Sequence, residues 1–147
     1  MKAQTLIATA VGALALSAAC VWAPAPVARA ADAKVDFAKD VQPILASHCV
    51  KCHGADPDGK KPKGKYDMTT KEGALKGGEN KTDIVPGKAA DSLAYKLLLG
   101  PVGSGDDEIE RMPKKKDPLS QAQIDTIKNW IDQGANWPDG VKVKLAK

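Results

Sequence analysis

Within seven residues, His48-Cys49-Val50-Lys51-Cys52-His53-Gly54, the chain places two thiols and two imidazoles. Soft ligands at this density serve a redox disulfide, a zinc site or covalent attachment of a haem. A thioredoxin-type dithiol opens a helix after a strand, and no β-α-β alternation surrounds Cys49. Zinc needs four convergent ligands, normally two pairs from separated turns. Here His48 and Cys49 are neighbours, as are Cys52 and His53, so their side chains diverge, and no second Cys or His pair follows. The haem reading explains the spacing. On a helical turn, residues three apart share a face, so Cys49 and Cys52 can each form a thioether with one vinyl group along a porphyrin edge. His53 then lies under the iron as proximal ligand. His48, beside a tethered residue, is expected to be a surface or helix-end imidazole, and Gly54 to relieve crowding where the chain leaves the porphyrin.

A sixth ligand has few sources, because no other histidine remains; the candidates are Met68, Met112 and the lysines. Met112 sits in a loop ahead of the last helix, with Pro113 to stiffen its backbone, so its thioether can swing over the face opposite His53. Met68, in KYDMTT beside Tyr66, reads more simply as core. Core packing is the competing expectation for both.

The elements that must position these residues are mainly helical. DFAKDVQPILASH has Phe37, Val41, Ile44 and Leu45 at helical spacing, with Asp36 as N-cap and a bend or restart near Pro43, and it delivers the chain to Cys49. GADPDGKKPKGK, residues 54–65, is a solvated loop. Thr69-Thr70-Lys71-Glu72 offers a capping box for a short helix ending at Gly77-Gly78, and IVPG at 84–87 a brief extended segment and turn. A helix is expected from about Ala89 to Leu99, with Leu93, Leu97 and Leu98 on one face, stopped by Gly100-Pro101. After the loop 100–118, Ser120-Gln121-Ala122-Gln123 is a capping box for a helix with an apolar stripe of Ile124, Ile127, Trp130 and Ile131, closed by Gly134.

Composition and processing bound the function. Lys2, an apolar run from Leu6 to about Val21 and Ala28-Arg29-Ala30 read as a secretory signal peptide over residues 1–30, leaving one domain over 31–147 in the periplasm or otherwise outside the cytoplasm. The run is poor as a membrane anchor, being Ala-rich and broken by Pro24 and Pro26. Lipid attachment at Cys20 fits poorly, because Leu16 lies four residues ahead of it rather than three. Without the signal, two cysteines remain, and 20 Lys+Arg face 18 Asp+Glu, a net of +2 that does not suggest a nucleic-acid binder. With one Phe, two Tyr and three Trp in the whole sequence, a large apolar cofactor would help fill the core.

The blocks FAKDVQPILASHCVKCHG, KEGALKGGE, IVPGKAADSL, RMPKKKDPLSQAQI and NWIDQGANWP, in that order over Phe37 to Pro138, resemble the small planctomycete-type cytochrome c domain within the class I cytochrome c fold. The resemblance implies an all-α fold with long loops around one covalently bound haem c, attached at Cys49 and Cys52 and ligated by His53 and Met112. It also implies that the first and last helices cross, bringing Phe37 near Trp130. One departure is Lys114 where the family often has a second proline after Met-Pro. The expected function is a one-electron carrier rather than an enzyme, standing here without a fused larger enzyme. Lys60, Lys61, Lys63 and Lys65, with Lys114, Lys115 and Lys116, would steer an acidic redox protein if they flank the haem edge, and a solvated loop is the competing expectation. Asp106, Asp107, Glu108 and Glu110 could offset that patch. Should Met112 leave the iron, a gas sensor or peroxide-reducing enzyme is the alternative, although no distal histidine is available to assist peroxide cleavage.

Overall fold

Asp36 starts the first helical segment by accepting a hydrogen bond from the Lys39 N–H at 2.9 Å, while its own N–H donates to the Asp40 carboxylate at 2.8 Å. In the computed structural model, which describes residues 34–54, 61–80 and 83–146, this segment begins as a π-helical turn, Phe37–Val41, in which the Gln42 N–H reaches back to the Phe37 carbonyl. Helix α1, Gln42–His48, follows with Pro43 in its first turn. The widening has a cause: Pro43 has no N–H to continue the ladder and its ring crowds the carbonyl four residues back, so the helix restarts where proline is tolerated. One further turn, α2, Val50–His53, carries Cys52 and His53 and has Cys49 as its N-cap.

Helix α3, Lys71–Lys76, is capped by the Thr70 side chain accepting from the Gly73 N–H at 3.1 Å. The cap thus lies one residue beyond the predicted Thr69, and Glu72 does not close a box. The predicted helix over 89–99 is broken at Ser92. Ala89–Asp91 is a 3-10 turn and α4 runs Leu93–Leu99. Ser92 is fully buried, and its hydroxyl donates to the Lys88 carbonyl at 2.9 Å and accepts from the Val85 N–H at 2.9 Å. A buried hydroxyl that satisfies two backbone groups outcompetes continuation of the helix. Helix α5, Gln121–Asp132, opens on the predicted Ser120–Gln123 capping box and buries Ile124, Ile127, Trp130 and Ile131.

Among the described residues there is no strand, and Val102 and Ile109 form a single antiparallel bridge. The architecture is therefore all-helical. The core joins the π-helical turn to α5, with Phe37 5.9 Å from Trp130 and 4.3 Å from Trp137, ring centre to ring centre. The segment after α5, which carries no helical pattern, returns across the molecule: Val143 donates to the Thr69 carbonyl at 2.9 Å and Ala146 to that of Ala46 at 3.2 Å. The segment 84–89 is tied to the end of α5 by Gly87 N–H to the Ile131 carbonyl at 2.7 Å and Ala89 N–H to the Asp132 carboxylate at 2.8 Å. No helix among the described residues is long and apolar enough to cross a membrane. Residues 1–30, Cys20 and Lys60 lie outside the described residues.

Candidate metal centre

The single turn α2 does the first positioning. The Cys52 and His53 N–H groups both bond to the Cys49 carbonyl, at 3.0 and 2.9 Å, so all three side chains belong to one helical turn. Both cysteines are free thiols, Cys52 exposed and Cys49 half-buried. Burial, and then the neighbouring Cys52, push the Cys49 thiol up to about 12. A thiol so reluctant to ionise is the opposite of an activated redox dithiol. Among the described residues, no group of three or more His, Cys, Asp or Glu side chains is placed to hold a metal ion, which disfavours zinc.

His53 is held from the far side of its ring. Its Nδ1 lies 3.1 Å from the Lys63 carbonyl, which can only accept, so Nδ1 carries the proton and Nε2 keeps its lone pair. Burial lowers the His53 pKa despite the raising effect of that carbonyl, keeping the ring in its neutral, metal-binding form. Such a second hydrogen bond fixes tautomer and orientation in metal-binding histidines. The carbonyl is presented by a 3-10 turn, Lys63–Lys65, in which Gly64 takes φ 64°. The Gly64 carbonyl accepts from Glu79 at 2.9 Å, and a methyl group at Gly78 would run into it, so the glycine lets two backbone segments meet. Met68 N–H donates to the His53 carbonyl at 2.6 Å, tying Met68 to the end of α2. Gly54 is crowded by its own chain: a Cβ there would sit 2.5 Å from the Val50 carbonyl.

His53 opens onto a cavity of about 680 Å³, within the roughly 300–1,000 Å³ typical of cofactor sites. Cys49, Cys52, Met68 and Tyr66 line it on the α2 side. Leu97, Leu98, Ile109, Leu119, Ile127 and Trp130 line it from α4, the following loop and α5. Met112 lines the same cavity, half-buried, with its N–H donating to the Leu97 carbonyl at 2.8 Å; Pro113 behind it is buried. Arg111 fastens that loop through Nη2 to the Lys116 carbonyl at 3.2 Å. Met68 is buried, as the core reading expects, yet it also borders the cavity. His48, half-buried at the end of α1, borders it too, with its Nε2 3.4 Å from Gln123 Nε2.

Four features test whether a haem fits. The lining is mostly apolar, it carries the neutral His53 imidazole and the thioethers of Met112 and Met68, and the two thiols stand one helical turn apart. The fourth feature is Tyr66, whose ring meets His53 edge-on at 5.6 Å. Its hydroxyl is buried with no hydrogen-bond partner among the described residues, while burial, then Asp83 and Cys49, raise its pKa so that it stays a donor. A buried unpaired hydroxyl costs about 1–3 kcal/mol, and a ligand bearing acceptor atoms would remove that cost. The residues fit the group: Cys49 and Cys52 could attach it, and His53 and Met112 could ligate its iron.

Residues 49–116 match the model of a family described as Planctomycete cytochrome C, and this stretch is similar to a planctomycete-type cytochrome c domain. No curated protein and no solved structure matches the chain. The match ends before α5, yet Ile127 and Trp130 line the same cavity, so the last helix completes the pocket. Tyr66, Asp83 and the Lys63 carbonyl were not singled out by sequence; the one available signal was Tyr66, one of only two tyrosines in an aromatic-poor chain.

Proposed function

We propose that this protein is an exported, mono-haem c-type cytochrome that carries single electrons between redox proteins and performs no catalysis of its own. The observation that carries this reading is the lining of one cavity by His53, with its Nδ1 proton committed to the Lys63 carbonyl, and by the Met112 thioether. Bound there through Cys49 and Cys52, haem would supply a one-electron ferrous–ferric couple, and histidine–methionine ligation raises its potential relative to two histidines. The residues do the rest. The Lys63 carbonyl fixes the imidazole, the Met112 N–H bond to Leu97 fixes the thioether's loop, and the apolar wall from α4 and α5 excludes water. Fixed ligands change little between oxidation states, which suits outer-sphere transfer. Export rests on the signal-like residues 1–30.

The rim of the cavity is basic. Lys51, Lys63, Lys114, Lys115 and Lys116 border it, all exposed. Lys114 is paired with Glu110 at 3.1 Å and Lys65, away from the rim, with Glu79 at 3.2 Å. Exposed pairs of this kind are weak, so the rim stays attractive to an acidic redox partner, and association should slow with salt. The test of the reading is optical. The oxidised protein should show the weak far-red band of an iron–thioether bond and lose it in Met112→Ala. A wild-type protein that lacks the band and whose ferrous form binds carbon monoxide readily would overturn the carrier reading.

A further inference from the structure

Asp83 is the one acidic side chain buried among the described residues, 7% exposed. It borders the cavity that holds His53 and Tyr66, and its carboxylate accepts from the Gly78 N–H at 2.7 Å. Its backbone carbonyl accepts from Ala94 at the start of α4, fixing the residue between the two walls. Among the described residues it makes no ion pair. We propose that Asp83 is a potential-setting residue, an anionic group walled into the pocket that favours the ferric over the ferrous state of an iron held at His53. The proposal rests on the haem reading of this cavity.

The bland role for Asp83 is to brace the turn at Gly78. A brace requires only an oxygen acceptor, which asparagine also supplies. A carboxylate beside an apolar cavity is costly unless something compensates its charge, and a pocket whose occupant gains positive charge on oxidation supplies that compensation. The field of Asp83 reaches the site: burial dominates at both rings, and Asp83 opposes the lowering of the His53 pKa and adds to the raising of that of Tyr66. Tyr66 remains a neutral phenol, and Glu79, which also borders the cavity, is exposed and paired with Lys65 at 3.2 Å, so the buried negative charge on this side of the cavity is that of Asp83.

Redox titration of the holoprotein tests the proposal in two variants. Asp83→Asn removes the charge and keeps the acceptor for Gly78, whereas Asp83→Glu keeps the charge. Asp83→Asn should titrate at a higher potential. The expected size is roughly tenfold in the ferrous-to-ferric ratio, the scale of a unit charge acting through protein at an effective dielectric near 20, or about 59 mV for one electron. Asp83→Glu should stay near wild type, and the shift should persist at high salt because buried charges are screened little. Should Asp83→Asn not fold, Asp83→Ser, also uncharged with an oxygen acceptor, carries the same test. An uncharged variant with the wild-type potential and spectrum overturns the proposal, as do uncharged and glutamate variants that shift together. A wild type without a redox-active haem would instead sink the reading of the site on which it rests.

Discussion

Replacing Trp130 by phenylalanine tests whether the aromatic cluster holds the wall of the cavity together. The indole is 1% exposed, packs against Phe37 and Trp137, and donates from Nε1 to the Asn136 carbonyl at 2.8 Å. Loss of that hydrogen bond costs about 1 kcal/mol, and no more, because Asn136 is exposed and water can take over its carbonyl. The smaller ring removes about 40 Å³, which at roughly 24 cal/mol per Å³ of residual cavity adds about 1 kcal/mol, with a similar amount in lost transfer energy. The expected destabilisation is about 3 kcal/mol. With a urea m-value near 1.5 kcal/mol/M, the unfolding midpoint should fall by about 2 M. Asn136→Ala, which leaves the accepting carbonyl in place, should change stability by less than about 0.5 kcal/mol. A Trp130→Phe midpoint within about 0.5 M of wild type, or an Asn136→Ala loss as large as that of Trp130→Phe, would refute the reasoning.

Two further outcomes follow from titrating groups. In the haem-free chain, the Cys49 thiol, pushed from 9.0 to about 12, holds about a thousandfold less thiolate than an ordinary cysteine, so an alkylating reagent at mild pH should label exposed Cys52 first; peptide mass mapping that finds equal labelling would contradict this. Asp132 is held below its ordinary 3.8 first by the Lys128 ammonium and then by the Ala89 N–H. A depressed folded value means its stabilising contribution is present above about pH 4 and is lost as pH falls through the folded value. Asp132→Asn should therefore lower stability slightly near neutrality and flatten the acid limb of the unfolding profile, and an unchanged acid limb would refute the assignment.

The sequence was most informative where local chemistry decides structure. The Ser120–Gln123 capping box and the stripe of α5 depend on neighbours three and four residues apart, and both stand as read. Pro43 likewise announced the break between the π-helical turn and α1. The break at Ser92 was illegible, because its hydroxyl is recruited by backbone groups at Lys88 and Val85 only once residues 84–89 dock on α5. The cavity's polar edge was hidden for the same reason. The Lys63 carbonyl that orients His53 is a backbone group any residue could supply, and Asp83 in sequence is one carboxylate among many. Cys49, Cys52, His53 and Met112 stood out by type and spacing, and the fold brings all four to one cavity. The lysine patch fared less evenly: Lys63 and the run 114–116 reach the rim, while Lys61 and Lys65 do not line it.

The central claim is covalent haem at Cys49 and Cys52, and the mass of the intact protein tests it most directly. Protein produced with a haem-attachment system should carry the added mass of one haem that survives acid-acetone extraction, localised by peptide mapping to the segment containing Cys49 and Cys52. A chain whose mass is that of the polypeptide alone, or whose haem is extracted by acid-acetone, would contradict the account.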